Sequence, residues 1–503
     1  MRENRDKRNI ATIHGRVNFG LAIGRLVQWA EILSQNQYKI YIAARVLNNK
    51  FVSKQIEKLV SLPESLELIY DSEFLKTEYP METIRKTEQW LDIPFDLLIS
   101  CDRRNKREIQ KNKKNLKETY NFISGYIMFL KDFFSRHDIN YFIGYKDDTL
   151  FNSIPIFVAK KMGITRILVN EGRFPDPGTT FCKNNFSNIY LWNDDVNVDW
   201  KEITSKYDNI NIVREEMTKK SRLLKIPNII RIYDYYNARR KQIKISKYEK
   251  YTIPNNLSIH YNNTRFILPI IREIYNRIFF QNPDFSEKYF FMPLHYVEDA
   301  QITLREPFVD QFDLISAISR TLPVGVKLYV KPHPHYKGSD ISNRELKKIS
   351  KLKNVKIINP SIPVYDLIKN SLGVITISST TGFEALIFNK PVIAFGHDSF
   401  CREDLCYPVW DMNKLPIYIM NIINGKGHPS GFEHIKKFVK KVYKNTFFAS
   451  KSYMWVGPIK EQKYFTDEKA EEFALILDKI IKMENEGNPK TIESEESLFG
   501  PKS

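Results

Sequence analysis

Two stretches of this chain alternate short apolar runs with segments of helical spacing, and a looser stretch separates them. In the first stretch, Asn9–Ile13 reads as a short strand. A glycine-bearing turn, His14–Gly20, and a helix over Leu21–Leu33 follow it. Lys39–Ala44, Leu66–Tyr70, Phe95–Ser100, Tyr141–Gly144 and Ile164–Val169 are further runs of strand length. Phe151–Met162 reads as the helix between the last two, and the basic segment Arg103–Lys117 as a solvated helix. The second alternation starts at Tyr289. It predicts strands at Tyr289–Met292, Val326–Val330, Val355–Ile358, Val374–Ile377 and Val392–Phe395. It predicts helices at Phe308–Thr321, Asn343–Lys351, Val364–Asn370 and Gly382–Phe388. Strands that alternate with helices imply parallel sheets.

The expected organisation is α/β, with two Rossmann-like domains. Residues 1–205 form the amino-terminal, acceptor-side domain, and 206–285 a partly helical linker or insertion. That segment carries the charge run Arg239–Lys247, and it reads either as a linker or as an acceptor-binding arm. Residues 286–483 form the carboxyl-terminal, nucleotide-sugar-binding domain. The acidic, polar stretch 484–503 reads as a disordered tail.

Charge changes this picture more than composition does. The net charge of +18 favours acidic partners: a nucleotide, an anionic polymer or the face of an anionic membrane. The same excess also serves simply to solvate helices. The basic runs carry no nucleic-acid-binding motif, so a nucleic-acid partner is not expected. Cys101, Cys182, Cys401 and Cys406 make neither a CxxC pair nor a zinc pattern, which points to a reducing compartment. The amino terminus lacks the apolar core of a signal peptide. Phe122–Phe134 is interrupted by Lys131 and Asp132 and falls short of the roughly 20 residues a span requires. A cytoplasmic protein, resting through basic patches on the inner membrane face, is the expectation.

Three constellations carry candidate chemistry. Tyr329-Val-Lys-Pro-His-Pro-His335 ends an apolar strand with Lys331, His333 and His335 at a proline-stiffened turn. A lysine and imidazoles there suit a phosphate, although the same residues also suit packing or a turn cap. Thr376-Ile-Ser-Ser-Thr-Thr-Gly-Phe-Glu-Ala-Leu386 ends another strand in a hydroxyl-rich loop that opens a helix. Ser378, Ser379, Thr380 and Thr381 supply an N-cap and spare donors, and the helix amides and dipole favour an anion. Two such junctions side by side on a parallel sheet make an anion pocket at the strands' carboxyl ends. Glu384, read on the first turn of that helix, either accepts from ribose hydroxyls or complements the dipole.

The third constellation is Asn170-Glu171-Gly172-Arg173. Glu171 there is either a general base for an acceptor hydroxyl or a turn carboxylate paired with Arg173. The irregular loop Pro175–Phe181 follows. Gly172, Arg173, Thr179 and Thr180, together with His295, are the expected acceptor or sugar contacts. The segment His14–Gly24 lacks both the G-x-G-x-x-G and the Walker spacing, so it does not support dinucleotide or ATP binding. Asp147-Asp148 reads as a solvated loop in preference to a metal pair. No metal or other cofactor is expected.

The segments Phe290–Glu298, Gln301, Gln311, Leu322-Pro323, Val330–Pro334 and Ile377–Ala385 resemble the capsule polysaccharide biosynthesis family. That family includes Kdo transferases that start bacterial capsule chains. Glu171-Gly172 with Pro177–Thr180 resembles its first-domain signature, and the turns together are similar to motifs of the bacterial sialyltransferases. The resemblance covers about 139–396. It implies a GT-B fold, in which two Rossmann-like domains with parallel sheets face a central cleft. It implies inverting, metal-independent transfer, with His333 and Ser378–Thr380 on the donor phosphate and Glu171 as base. Asn170 departs from the sialyltransferase pattern, which has an acid at that position.

The expected function is therefore a glycosyltransferase of surface polysaccharide assembly, moving a sugar from a nucleotide-activated donor to a glycan or lipid-linked acceptor. A CMP-Kdo-like donor is favoured over a UDP-sugar. A sugar-nucleotide 2-epimerase, a glycerophosphotransferase and a non-catalytic assembly or export partner are the alternatives.

Overall fold

A computed structural model describes residues 9–17, 32–33, 38–46, 66–69, 77–102, 113–145, 149–171, 174, 178–185, 187–207, 275–295, 310–333, 341–448 and 467–492. Several sequence features lie outside the described residues. They are most of the 21–33 segment, 103–112, Asp147-Asp148, the run 239–247, and the site candidates Gly172, Arg173 and His335.

In the amino-terminal part the strands are β1 (Asn9–Val17), β2 (Lys39–Val46), β3 (Leu66–Ile69), β4 (Tyr141–Tyr145), β5 (Thr165–Glu171), β6 (Gly178–Lys183) and β7 (Ile189–Tyr190). Next come β8 (Phe280–Gln281), β9 (Lys288–Pro293), β10 (Val326–Lys331) and β11 (Val355–Ile358). The last are β12 (Gly373–Thr376), β13 (Val392–Ala394), β14 (Tyr407–Pro408), β15 (Phe447–Phe448) and β16 (Thr491–Ile492). The described residues form two sheets, in two compact units. One unit is built mainly from Met1–Asp194 and Asn445–Glu493, the other mainly from Asn256–Lys444.

The first sheet runs β16-β7-β6-β5-β4-β1-β2-β3, with β15 also paired to β6. From β5 to β3 it is parallel, as the alternation predicts, and its central strands are buried. Beyond β5 it turns antiparallel. The stretch Pro175–Phe181, expected to be irregular, contributes β6 from Gly178 onward. The β-branched pair Thr179-Thr180 suits a strand with partners on both sides, and β6 has β5 and β7 as neighbours.

Three further expectations are corrected. Phe95–Ser100, read as a strand, is the helix Phe95–Cys101. Phe95, Leu98 and Ile99 share its buried face at helical spacing, and Pro94 starts it. The helix Asp467–Asn485, assigned with 286–483 to the second domain, packs on the first sheet instead. Phe473, Ala474, Leu477, Ile480 and Ile481 form its apolar stripe, set against Ile10, Ile42, Ile143 and Ile167. The stretch 484–503 is not a tail from its first residue. Glu484 accepts from the Tyr190 hydroxyl at 2.7 Å and lies 2.9 Å from the Lys183 ammonium, and β16 pairs with β7. Burial, with Glu484 beside it, pushes the Tyr190 hydroxyl above its ordinary value, so it stays a donor.

The second sheet runs β14-β13-β12-β9-β10-β11-β8 and is parallel throughout. β8 lies in the stretch read as linker and forms its edge. One face of this sheet, with Met292, Leu328, Val330, Ile375 and Ile393, packs on Leu314, Ile315, Ile318, Leu346, Ile349, Leu415 and Ile419. These belong to the helices Gln311–Thr321, Asn343–Ser350 and Leu415–Ile423.

His428 is buried in the connection between two helices of this unit, Leu415–Ile423 and Phe432–Lys444. Burial lowers its pKa from 6.5 to about 4, and the Leu405 and Asn389 carbonyls oppose part of that shift. Between these values the unfolded chain binds a proton that the folded chain excludes. Stability from this group is complete above pH 6.5 and falls as pH drops toward 4, by up to roughly 3 kcal/mol. Urea unfolding across that range should show the slope in wild type, and His428→Gln should flatten it.

Candidate functional site

The strand order of the second sheet reverses between β12 and β9. From β9 the chain adds β10 and β11 on one side, then returns to the other side for β12, β13 and β14. In open α/β sheets a ligand binds outside the carboxyl ends of the strands at such a reversal. Register places the site residues there. Pro293 is level with Lys331, and the β9–β12 pairs Gly373↔Phe290 and Val374↔Phe291 carry Thr376 to the same level. Two residues further on lie His295, His333 and Ser378, on three adjacent strand ends.

The sequence pattern predicts the two βα junctions side by side. They are not adjacent, because β9 lies between β10 and β12. The two ends are thus about 10 Å apart, two strand spacings, and His295 stands between them. Parallel pairing is decided by crossover direction, which local pattern does not encode.

Lys331 is the last residue of β10 and is 3% exposed. Pro332 is buried and His333 half-buried. Leu294 N–H donates to the Lys331 carbonyl at 2.9 Å, which holds the ends of β9 and β10 together. A buried ammonium at the carboxyl edge of a parallel sheet is costly unless it meets negative charge. Its charge and its place at that edge suit the binding of an anion.

The hydroxyl loop uses its own amides more fully than its sequence suggests. Ser378 N–H points to His295 Nε2 at 3.5 Å, and Ser379 N–H donates to Thr376 Oγ1 at 3.0 Å. Ser379 is the N-cap of the helix Thr380–Ile387, accepting from Thr381 N–H at 3.2 Å, and its carbonyl accepts from Gly382 N–H at 2.9 Å. Thr380 is exposed, and none of these bonds takes up its amide. The expected row of free helix amides is therefore reduced, with the Ser378, Ser379, Thr381 and Gly382 amides each directed at an acceptor of the protein. Ser378 and Thr381 are buried. Glu384, expected on the first turn, is the fifth residue of the helix and is 2% exposed. It lies too far along the helix to complement the amino-terminal dipole.

Gly382 lets this helix approach the sheet. A Cβ there would stand 2.8 Å from the Phe400 ring and 2.9 Å from Thr376 Cγ2. Gly382→Ala should therefore destabilise the protein by about 1–3 kcal/mol and disturb the Thr376–Ser379 cap. Thermal unfolding checks the first effect, and nucleotide titration checks the second.

In the first unit Glu171 ends β5, its backbone paired with Thr179 of β6. Thr180 is buried, its Oγ1 3.9 Å from Cys182 Sγ. The sequence pattern assigns no role to two residues at this edge. Thr376, a hydroxyl at a strand end, caps the Ser379 amide. Gln311, 4% exposed, opens the helix after β9 and donates to the His295 carbonyl at 3.4 Å. A threonine just ahead of Ser-Ser-Thr-Thr was a usable signal for the first. Among the described residues, no group of three or more His, Cys, Asp or Glu could hold a metal ion, and no helix is long and apolar enough to cross a membrane.

The second unit is thus a doubly wound α/β unit with a cationic, hydroxyl-lined edge at its switch point. Residues 213–407, which include all three strand ends, match the family described as capsule polysaccharide biosynthesis protein. The match begins beyond Glu171. The protein FixF of Sinorhizobium fredii is 31% identical over 136 residues, 26% of this chain and 32% of that one. The capsule polysaccharide export protein KpsS of Escherichia coli is 28% identical over 131 residues, 25% of this chain and 34% of that one. The chain thus spans about a third of the length of these relatives. Among solved structures it bears a distant likeness to KpsC of Thermosulfurimonas dismutans, a beta Kdo 2,7 transferase. That likeness has a TM-score of 0.32 at 15% identity, over 70% of this chain and 89% of that one.

Proposed function

We propose that this protein is a GT-B glycosyltransferase of surface polysaccharide assembly, with its nucleotide-sugar donor held at the switch point of the second unit. The observation that carries the reading is the buried Lys331 at the end of β10, level with the hydroxyl loop after β12 and inside the family match. In this reading Lys331, His333, His335 and the 378–381 loop stabilise the charge left on the departing nucleotide phosphate. Glu384 would serve the ribose. Glu171 would take the proton of an acceptor hydroxyl in an inverting transfer that needs no metal. Gly172, Arg173, Thr179 and Thr180 would contact acceptor or sugar. The acceptor would be a glycan or lipid-linked saccharide reached at the inner membrane face, toward which the charge of +18 draws the protein.

The test is a thermal-shift panel with CMP, CDP and UDP, followed by calorimetry. A ligand at about 100 times its Kd stabilises the native state by roughly 2.7 kcal/mol. A response to CMP alone supports a CMP-Kdo-like donor. A UDP response turns the reading toward a UDP-sugar transferase or 2-epimerase, and a CDP response toward glycerophosphate transfer. The export name of KpsS keeps a non-catalytic role as the second reading. Silence toward every nucleotide, with Glu171→Gln neutral for polysaccharide made in cells, would favour it.

A further inference from the structure

We infer that His295 is a positioning residue, a neutral acceptor that ties the Ser378 turn to the end of β9; the inference rests on reading that turn as the donor-phosphate site. His295 follows β9 by two residues and is 7% exposed. Its Nε2 faces the Ser378 N–H at 3.5 Å. A backbone amide only donates, so Nε2 must present its lone pair and the ring proton must sit on Nδ1. The His295 carbonyl faces Gln311 Nε2 at 3.4 Å. A carbonyl only accepts, which fixes the orientation of the buried Gln311 amide. One residue is thus held from behind by the helix after β9 and holds the turn after β12 in front.

The tie has a chemical consequence. It commits the Ser378 amide to the imidazole, so that amide holds the turn in place and is not offered to a ligand. An alanine would leave the Ser378 amide without this acceptor. A glutamine can place Oε1 near the position of Nε2 and keep the acceptor.

The experiment has two readouts on the full chain. In protein labelled with [15N]histidine, long-range imidazole spectra, assigned by the signal lost in His295→Gln, should show Nδ1 protonated and Nε2 bare. A proton on Nε2 overturns the tie. Calorimetry with CMP and with UDP should then show His295→Ala binding about tenfold more weakly, equal to about 1.4 kcal/mol. His295→Gln should recover most of that loss. Glutamine as weak as alanine, or alanine as tight as wild type, overturns the positioning role. If the alanine variant does not fold, the tautomer and the glutamine variant carry the test. Wild type binding neither nucleotide would sink the donor-site reading, and the tautomer would still decide whether the tie exists.

Discussion

A chain ending at residue 466 should fail to fold its first unit. The helix 467–485 contributes Phe473, Ile476, Leu477, Ile480 and Ile481 to the core over the first sheet. Burying each is worth about 1.5–3 kcal/mol, so their loss approaches ~10 kcal/mol. That is comparable to the whole stability of a typical domain, about 5–15 kcal/mol. Polar ties would go as well. Tyr38 donates to Asp478 at 2.8 Å, Tyr141 to Asn485 at 2.9 Å and Tyr190 to Glu484. The truncated protein should be insoluble or bind a dye for exposed apolar surface. A milder version is Leu477→Ala, expected to cost about 2–5 kcal/mol in urea unfolding. A soluble truncation with unchanged circular dichroism and unfolding midpoint would show that this helix is dispensable.

Lys331→Met should weaken nucleotide binding by about 10- to 150-fold. A hydrogen bond to a charged group contributes about 1.5–3 kcal/mol, and Lys331 is the buried cation at the switch point. Methionine keeps the length of the side chain in a buried position, so secondary structure should be retained. Lys331→Arg keeps the charge but demands more room, and it should bind between the two. Calorimetric titration of the three proteins orders them. Equal affinity in wild type and methionine variant would remove Lys331 from the donor site.

The legible part of this fold is the part that repeats. β4, β5, β9, β10 and β12 are apolar runs buried on both faces, and each stands out from its flanks in sequence. Phe95–Ser100 reads as a strand because a short run with Leu97-Leu98-Ile99 at its centre has no clear period. Its signal lay in Pro94 and in the spacing of Phe95, Leu98 and Ile99. The two-residue strands β7, β8, β14, β15 and β16 are too short to show any period. The stretch from Glu484 looked like a tail because it is polar. Its partner Lys183 lies 301 positions away, and no local composition reports that. The residue types of the candidate site were readable in the same way, as Lys331, His333 and Ser378–Thr381. Their arrangement was not. Strand order brought His295 between the two turns, and the loop's own hydrogen bonds consumed amides that the sequence seemed to offer.

The first unit closes only with residues made after the whole of 195–444, which belongs largely to the other unit. Ribosomes add about 5–20 residues per second, so its sheet waits roughly 15–60 s for the helix that covers it. During that interval the edge at β7 lacks β16, and the apolar face over Ile42 and Ile143 lacks its cover. The usual order, in which amino-terminal domains fold first, should thereby be reversed, with the second unit maturing while the first is still unfinished. Chaperone dependence and sensitivity to translation speed should accordingly concentrate in the amino-terminal unit.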